Sequence, residues 1–396
     1  MENRRLQIPR GMQDTLPGEC CRKRRLEKQL RELFGRWGCQ EVETPILEYY
    51  HALDDATYGY RPEHVWKTFD AQGRVLAIRP DSTMPAARLA AGRLKDSPLP
   101  LRLCYMQSAT AYQSDTLSLL CEATQAGVEL MGESSPQSDA EVIALAVEAL
   151  REAGLRDFQL ELGQAMFFDG FMQAAGLTPE QAAVMRAYTE QKNALAIQVY
   201  LEQLSVRGEA ARRLMRLPRL YGGAEVLDEA AALTEHPLCR RALDNLRQIL
   251  AALDDYGCAE CVTIDLGMVH QMNYYSGMIF RGMTASLGQP LLSGGRYDGL
   301  PARFGREAPA VGFALSLKLM LMALERQGET FPAPVPDVLL GFAPKAHARA
   351  VAFAREARGR GESVAMLYGA TAEEVARRAA AGQARRAVYI TGEDAP

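Results

Sequence analysis

The 396-residue chain lacks features that define several classes of protein. Its apolar runs all fall short of the roughly 18 residues that a membrane-spanning helix needs, so we expect no membrane contact. The charged segment Met1–Arg5 is not followed by an apolar stretch, so no secretory signal is expected. The 45 basic and 49 acidic residues give a net charge of −4, which disfavours bulk nucleic-acid binding. A cytoplasmic globular protein is therefore predicted.

Cysteine is also scarce, with eight residues scattered along the chain. A disulfide scaffold is not expected, because few, scattered cysteines are typical of reduced cytosolic proteins. The C-x-x-C pair Cys258 and Cys261 lacks nearby ligands to complete a zinc site. The segment after it, Val262–Leu266, predicts a strand, whereas a redox pair needs a following helix. We expect a structural role for this pair and no metal site.

Lysine and arginine are absent from two long stretches, residues 103–150 and 248–280. The first of these carries seven acidic residues, so its negative electrostatic potential would repel a triphosphate bound near it. No Walker-type motif offers another phosphate site. The pair Gly294-Gly295 is more typical of a tight turn between strands than of a phosphate cradle. No cofactor is therefore expected.

Residues 1–327 predict an α+β domain. An apolar helical face over residues 22–37 is followed by strand-like segments to about residue 130. Ser138–Glu141 has the spacing of a capping box and predicts the start of a helix that continues through Leu150.

Three further segments are predicted from changes in composition. A helical insert is expected over about 170–250, with a capping box at Thr178–Gln181. Three prolines within residues 328–336 predict a linker. Alternating strand and helix patterns then predict a small C-terminal α/β domain over residues 337–396.

Several short segments, in order, resemble the catalytic core of class II aminoacyl-tRNA synthetases, and specifically histidyl-tRNA synthetase. They are Gly38–Pro45 for motif 1, Arg79–Thr83 for the amino-acid-binding segment, Gln125–Glu129 for the strand that ends motif 2, Leu266–Gly277 and Gly294–Leu300 for the two histidine-specific signatures, and Ala310–Ala314 for motif 3. The resemblance implies a class II synthetase-like antiparallel sheet core and a dimer formed through motif 1.

The chain departs from that family at the positions of its catalytic arginines. Those arginines stabilise charge at the α-phosphate of ATP, and their positions hold Ala111, His270 and Leu319 here; Gln113 replaces an acid. This pattern is similar to the regulatory subunits of ATP phosphoribosyltransferase. The resemblance implies a subunit without ligase activity that joins a short-form catalytic subunit in the first step of histidine biosynthesis and mediates inhibition by L-histidine. Because the C-terminal tail is short, tRNA binding is not expected.

The resemblance also implies a pocket for free histidine. Its candidate residues are Asp81, Thr83 and Gln125 for the ammonium group, Glu129 and Tyr275 for the imidazole, Tyr274 and Tyr297 as walls, and His270 for the carboxylate. Each position also has a simpler interpretation. Asp81 and Thr83 can cap a helix that begins near Met84, Glu129 can face water, and the tyrosines can be ordinary sheet aromatics.

The sequence is consistent with three functions. We favour a regulatory and assembly subunit. The alternatives are an active histidine–tRNA ligase with unusual residues, and a synthetase-like protein that binds another small molecule or acts only by assembly.

Overall fold

The structure is a computed structural model that describes residues 6–9, 11–53, 65–110, 122–269 and 274–391. It divides into two compact units, one of Met1–Asp14 with Arg22–Thr330 and one of Thr15–Cys21 with Phe331–Pro396. Across these described ranges, no helix is both long enough and apolar enough to cross a membrane.

A nine-stranded sheet lies at the centre of the first unit. The strands of this unit are β1 Gln40–Glu41, β2 Leu47–Tyr49, β3 Lys67–Phe69, β4 Val75–Ile78, β5 Leu101–Thr110, β6 Glu122–Met131, β7 Gln159–Gln164, β8 Tyr221–Gly222, β9 Val262–Asp265, β10 Met278–Met283, β11 Leu292–Arg296 and β12 Ala310–Ser316. The large sheet has the order β1-β5-β6-β12-β11-β10-β7-β9-β8, and β2-β4-β3 form a small second sheet. Every pair from β5 to β7 along that order is antiparallel, which confirms the predicted sheet core.

Eleven α-helices lie between Pro17 and Arg326 in the described residues. They are α1 Pro17–Arg36, α2 Thr83–Gly92, α3 Pro136–Glu152, α4 Ala165–Ala174, α5 Pro179–Glu190, α6 Ala194–Gln203, α7 Gly208–Arg216, α8 Glu225–Leu233, α9 Pro237–Asp255, α10 Gly299–Arg303 and α11 Leu317–Arg326. Helix α5 begins at the predicted capping box, with Thr178 and Gln181 bonded reciprocally. The short strand β8 interrupts the helices between α4 and α9, and the sequence carried no signal for it.

Helix α3 begins earlier than the sequence predicted. The N-cap is Ser135, whose hydroxyl oxygen accepts from the Ser138 N–H at 3.2 Å, and Pro136 occupies the first helical position. The predicted capping box at Ser138–Glu141 was therefore wrong. Ser138 and Asp139 instead lie inside the helix and are buried.

The second unit contains a three-stranded parallel sheet. Its elements are β13 Val338–Phe342, α12 His347–Gly359, β14 Val364–Leu367, α13 Ala372–Arg378 and β15 Arg386–Ile390, with the strand order β14-β13-β15. Alternate residues of β13 pack in opposite directions, because Val338 and Leu340 contact α12 whereas Leu339 contacts α13. The two helices thus cover opposite faces of the sheet.

Candidate functional site

Glu129 lies at the centre of a buried polar cluster, the candidate pocket, on one face of the large sheet. Its register partners are Leu103 on β5 and Gly312 on β12, and its side chain is 0% exposed. The Tyr105 hydroxyl donates a hydrogen bond to Glu129 Oε1 at 3.0 Å, and the Tyr297 hydroxyl donates to Oε2. Glu129 therefore does not face water, which overturns the simpler interpretation of this residue.

The surroundings of Glu129 bring the pKa of its carboxyl group close to neutral pH. Burial raises its pKa to about 7, although the hydrogen bonds from Tyr297, Thr83 and Tyr105 oppose this shift. Burial also raises the pKa of the Tyr105 and Tyr297 hydroxyls well above their usual value, so both stay protonated as donors. Because its pKa is about 7, the carboxyl group of Glu129 can accept a proton or a hydrogen bond from a ligand.

Asp81 lies between β4 and α2 and uses its two oxygens differently. Oδ1 accepts from the Met84 N–H at 3.1 Å, as the helix-capping interpretation predicts. Oδ2 is buried, and no residue in the described ranges donates to it. Burial raises the pKa of Asp81 to about 6, against the effect of the Met84 and Thr83 backbone N–H groups. The capping role thus leaves one acceptor oxygen for another partner.

Thr83 and Gln125 add polar groups to the same region. The Thr83 hydroxyl lies 3.5 Å from the Tyr105 hydroxyl. Gln125 precedes Glu129 by four residues on β6, so both side chains point to one face of the sheet. Its Oε1 is buried and has no donor in the described part of the chain. A buried acceptor without a donor costs about 1–3 kcal/mol, so Asp81 Oδ2 and Gln125 Oε1 favour a ligand that brings N–H groups.

The three predicted tyrosines form an aromatic wall. The Tyr274 ring centroid lies 4.7 Å from that of Tyr275 and 6.0 Å from that of Tyr297, in an edge-to-face contact with the latter. Burial raises the pKa of Tyr274 and Tyr275, and the nearby carboxylates of Asp81 and Glu129 act in the same direction. These phenols are therefore neutral and close to both acids of the pocket.

Glycines on three strands make room for these side chains. A Cβ at Gly312 would lie 1.8 Å from Glu129 Oε2, and a Cβ at Gly127 would lie 2.3 Å from Tyr105 Cζ. A Cβ at Gly295 would lie 2.7 Å from the Tyr275 ring. Gly294 and Gly295 lie inside β11, so the expectation of a turn at this pair was wrong. Gly295 allows close packing of the Tyr275 ring, and Gly294 allows close packing of the Phe280 ring.

Arg296 is a buried charge that was not predicted from the sequence. Its guanidinium donates to Asp139 Oδ1 at 2.6 and 2.9 Å, and to the Glu133 carbonyl and Asp298 Oδ1 at 2.9 Å each. Within this signature, the sequence pointed to Tyr297 alone as a site residue. The available signal was an arginine directly after two glycines. An arginine at such a close-packed position is expected to be paired with an acid, because buried arginines are nearly always paired.

The predicted replacements of catalytic arginines are only partly within the described structure. Leu319 lies in the first turn of α11, where its N–H donates to Ser316 Oγ at 3.4 Å. Ala111, Gln113 and His270 lie outside the described residues, so their roles stay predictions.

The described residues contain no group of three or more His, Cys, Asp or Glu side chains placed to hold a metal ion. Burial raises the pKa of the Cys258 thiol to about 11, so that thiol is protonated at neutral pH.

The fold and the pocket together define a class II synthetase core of the histidyl type. Residues 11–320 match the family model for histidyl-tRNA synthetase. A solved structure of an ATP phosphoribosyltransferase regulatory subunit/histidyl-tRNA synthetase from Bacillus halodurans aligns with a TM-score of 0.86 and 32% identity, covering 98% of this chain and 99% of that one.

Two curated relatives make the assignment more specific. The ATP phosphoribosyltransferase regulatory subunit of Acetivibrio thermocellus is 42% identical over 338 residues, which cover 85% of this chain and 81% of the relative. That of Moorella thermoacetica is 40% identical over 378 residues, covering 95% and 96%. The chain belongs to the family of ATP phosphoribosyltransferase regulatory subunits, which confirms the resemblance found in its sequence.

Proposed function

We propose that this chain is a cytoplasmic regulatory subunit that assembles with a short-form ATP phosphoribosyltransferase catalytic subunit and senses free L-histidine. The observation that carries the histidine part is the pair of buried acceptors, Asp81 Oδ2 and Gln125 Oε1, on the site that also holds Glu129. Buried acceptors and acids favour a small ligand rich in N–H donors. L-histidine brings three ammonium N–H groups and an imidazole.

In the proposed complex, the ammonium group donates to Asp81 and Gln125, and the imidazole exchanges hydrogen bonds with Glu129 and Tyr275. Isothermal titration of L-histidine against a panel of amino acids tests this. Histidine should bind, and Asp81→Asn should weaken its binding about 10- to 100-fold, because a charge-assisted hydrogen bond is lost. If another amino acid binds and histidine does not, the chain is a receptor for a different ligand.

The proposed assembly rests on the family to which the chain belongs. The test mixes this chain with a short-form catalytic subunit and measures both the mass of the complex by light scattering and the phosphoribosyltransferase rate. We expect a complex, a higher rate with this chain present, and inhibition of that rate by L-histidine. Absence of a complex together with an unchanged rate would overturn the proposal.

We further propose that the chain has no ligase activity and does not bind tRNA. Strands β6 and β9 contribute no Lys or Arg, and Leu319 offers no charge to a triphosphate. Histidine-dependent exchange of pyrophosphate into ATP should therefore stay at background, with an active histidyl-tRNA synthetase as the positive control. Exchange above background would instead support the alternative of an active ligase.

Self-association is proposed through the small sheet that follows motif 1. Phe69 and Val75 are register partners, so their side chains share one face of this sheet, and both are exposed, with Phe69 at 69%. Leu47 and Tyr49 are exposed on the opposite face. Neighbouring exposed apolar side chains such as Phe69 and Val75 favour an interface. Analytical ultracentrifugation should show a dimer that Phe69→Glu dissociates, whereas Leu195→Glu, at an equally exposed position of α6, leaves it intact.

A further inference from the structure

Arg79 is a buried arginine, 5% exposed, that makes its hydrogen bonds to uncharged oxygens of the described residues. Its Nε donates to the Ser108 carbonyl at 2.6 Å, and its Nη1 donates to the Thr44 carbonyl at 2.7 Å. Burial lowers the pKa of this guanidinium. Arginines are almost never fully buried unless they are paired, so the unfavourable burial of this charge must be offset by what its contacts hold together.

The contacts of Arg79 join two segments that are far apart in the chain. Thr44 follows β1, whereas Ser108 lies on β5. Gln107, also on β5, adds a second link between them. Its Oε1 accepts from the Thr44 N–H at 3.1 Å, and its Nε2 donates to the Thr44 hydroxyl at 3.0 Å. Arg79 and Gln107 therefore both hold Thr44 next to β5.

The backbone of Arg79 is fixed as well as its side chain. Its N–H donates to the Ile46 carbonyl at 2.9 Å, and its carbonyl accepts from the Thr110 N–H at 3.0 Å. Pro80 comes next, and its ring locks the φ angle of the following step of the chain. Because only this proline separates the two residues, Arg79 fixes the backbone immediately before Asp81.

Asp81 is thereby held from both directions along the chain. On its C-terminal side, the Met84 N–H at the start of α2 donates to Oδ1 at 3.1 Å. On its N-terminal side, Arg79 anchors the backbone. Oδ2 is then left in a defined position, buried and without a donor in the described ranges. An acceptor that is already ordered favours binding, because the ligand does not have to immobilise it.

We propose that Arg79 is a positioning residue that fixes Asp81 Oδ2 to receive the ammonium group of the bound amino acid. This inference rests on the proposed histidine binding and goes beyond it, because it assigns a role to a residue that does not touch the ligand. The geometry of the ammonium contact then depends on the junction between residues 44–46 and the end of β5.

The test is a double-mutant cycle on the full chain, with histidine affinity measured by isothermal titration. Arg79→Lys keeps the charge but loses the planar fork that reaches two carbonyls. It should weaken histidine binding about 10-fold, within the effect of one charge-assisted hydrogen bond. In an Asp81→Asn background, where that hydrogen bond is already lost, Arg79→Lys should change the affinity by less than about twofold. A purely structural role of Arg79 predicts instead that the two losses add.

Arg306→Lys is the matched control. Arg306 likewise donates to carbonyl oxygens, those of Ala90, Leu94 and Ser97 at 2.9, 2.6 and 2.7 Å, but around the C-terminal end of α2. Urea denaturation should show a loss of stability for both lysine variants, whereas only Arg79→Lys should lose histidine affinity. Equal losses of affinity would mean that any loosening around α2 weakens binding, and would overturn the assignment of Arg79.

The outcomes separate the two proposals. If wild type binds no histidine, the histidine-sensing function fails and the role of Arg79 fails with it. If wild type binds histidine and a folded Arg79→Lys variant binds it equally well, only the assignment of Arg79 is overturned.

Thr44→Val replaces Arg79→Lys if that variant does not fold, because the Thr44 hydroxyl accepts from Arg79 Nη1 at 3.2 Å. Loss of this neutral acceptor should weaken histidine binding about two- to fivefold in the wild-type background. It should have no such effect in the Asp81→Asn background. An unchanged histidine affinity in Thr44→Val, or an equal loss in both backgrounds, overturns the assignment.

Discussion

The Tyr105 hydroxyl donates to Glu129 Oε1 at 3.0 Å across the antiparallel pair β5–β6. Both side chains are fully or almost fully buried, so the hydrogen bond forms where water does not compete. It orients the Glu129 carboxyl group and leaves the aromatic wall to contact the proposed ligand.

Tyr105→Phe should therefore destabilise the protein. The substitution leaves a buried carboxyl with one hydrogen bond fewer, at a cost of about 1–3 kcal/mol in the free energy of unfolding. Urea denaturation at pH 8 measures this cost. The control is Tyr256→Phe, since Tyr256 is 47% exposed and its loss of a hydroxyl should change stability little. Equal effects of the two substitutions would contradict a special role of the Tyr105–Glu129 bond.

Glu129→Gln should stabilise the unliganded protein at alkaline pH. The pKa of Glu129 rises from 4.5 to about 7 on folding, so the folded state binds this proton more tightly than the unfolded state. Its contribution to stability is complete below pH 4.5 and is lost as the pH rises through about 7. The variant should exceed wild type by about 1–3 kcal/mol at pH 8 and by clearly less at pH 5.5. The same difference at both pH values, in urea denaturation, would argue against a buried, titrating Glu129.

Local patterns predicted secondary structure better than they predicted the site. The strands and helices between Val338 and Ile390 follow the predicted alternation, because each is set by residues within one turn or one strand. The prediction of the start of α3 was wrong because two nearby serines could each be the N-cap. Ser135 is followed by a proline, and this local signal outweighs the capping-box spacing at Ser138.

The pocket itself depends on contacts that no local pattern contains. Strand β6 is buried on both faces over most of its length, so alternation of polarity does not show where Glu129 points. The partners of Glu129 come from 24 and 168 residues away in the chain. Motif resemblance named Tyr297 but not Tyr105. Both tyrosines reach Glu129 only through the folding of the sheet.

Gly312→Ala should disrupt the pocket directly. Its Cβ would lie 1.8 Å from Glu129 Oε2 and 2.4 Å from the Val128 carbonyl oxygen, and a backbone atom yields little. We expect a loss of about 1–3 kcal/mol in unfolding free energy, typical of overpacking, together with loss of histidine binding. Gly299→Ala is the control, because a Cβ there meets no atom within 4 Å. A stable Gly312→Ala variant that binds histidine normally would show that Glu129 can move without consequence.

Arg296→Met should be the most destabilising of these substitutions, because it leaves Asp139 as a buried carboxylate without a counter-ion. Breaking a buried ion pair on one side costs about 3–5 kcal/mol. Burial already raises the pKa of Asp139 to about 6 against the attraction of Arg296, and removal of the arginine raises it further. The loss should therefore be largest at pH 8 and smaller at pH 5, where Asp139 takes up a proton and loses its charge. Adding Asp139→Asn to the variant removes the unpaired charge and should recover part of the stability at pH 8. If the double variant is no more stable than Arg296→Met at pH 8, the cost lies in the lost contacts of Arg296 with the Glu133 carbonyl and Asp298, and not in the charge of Asp139.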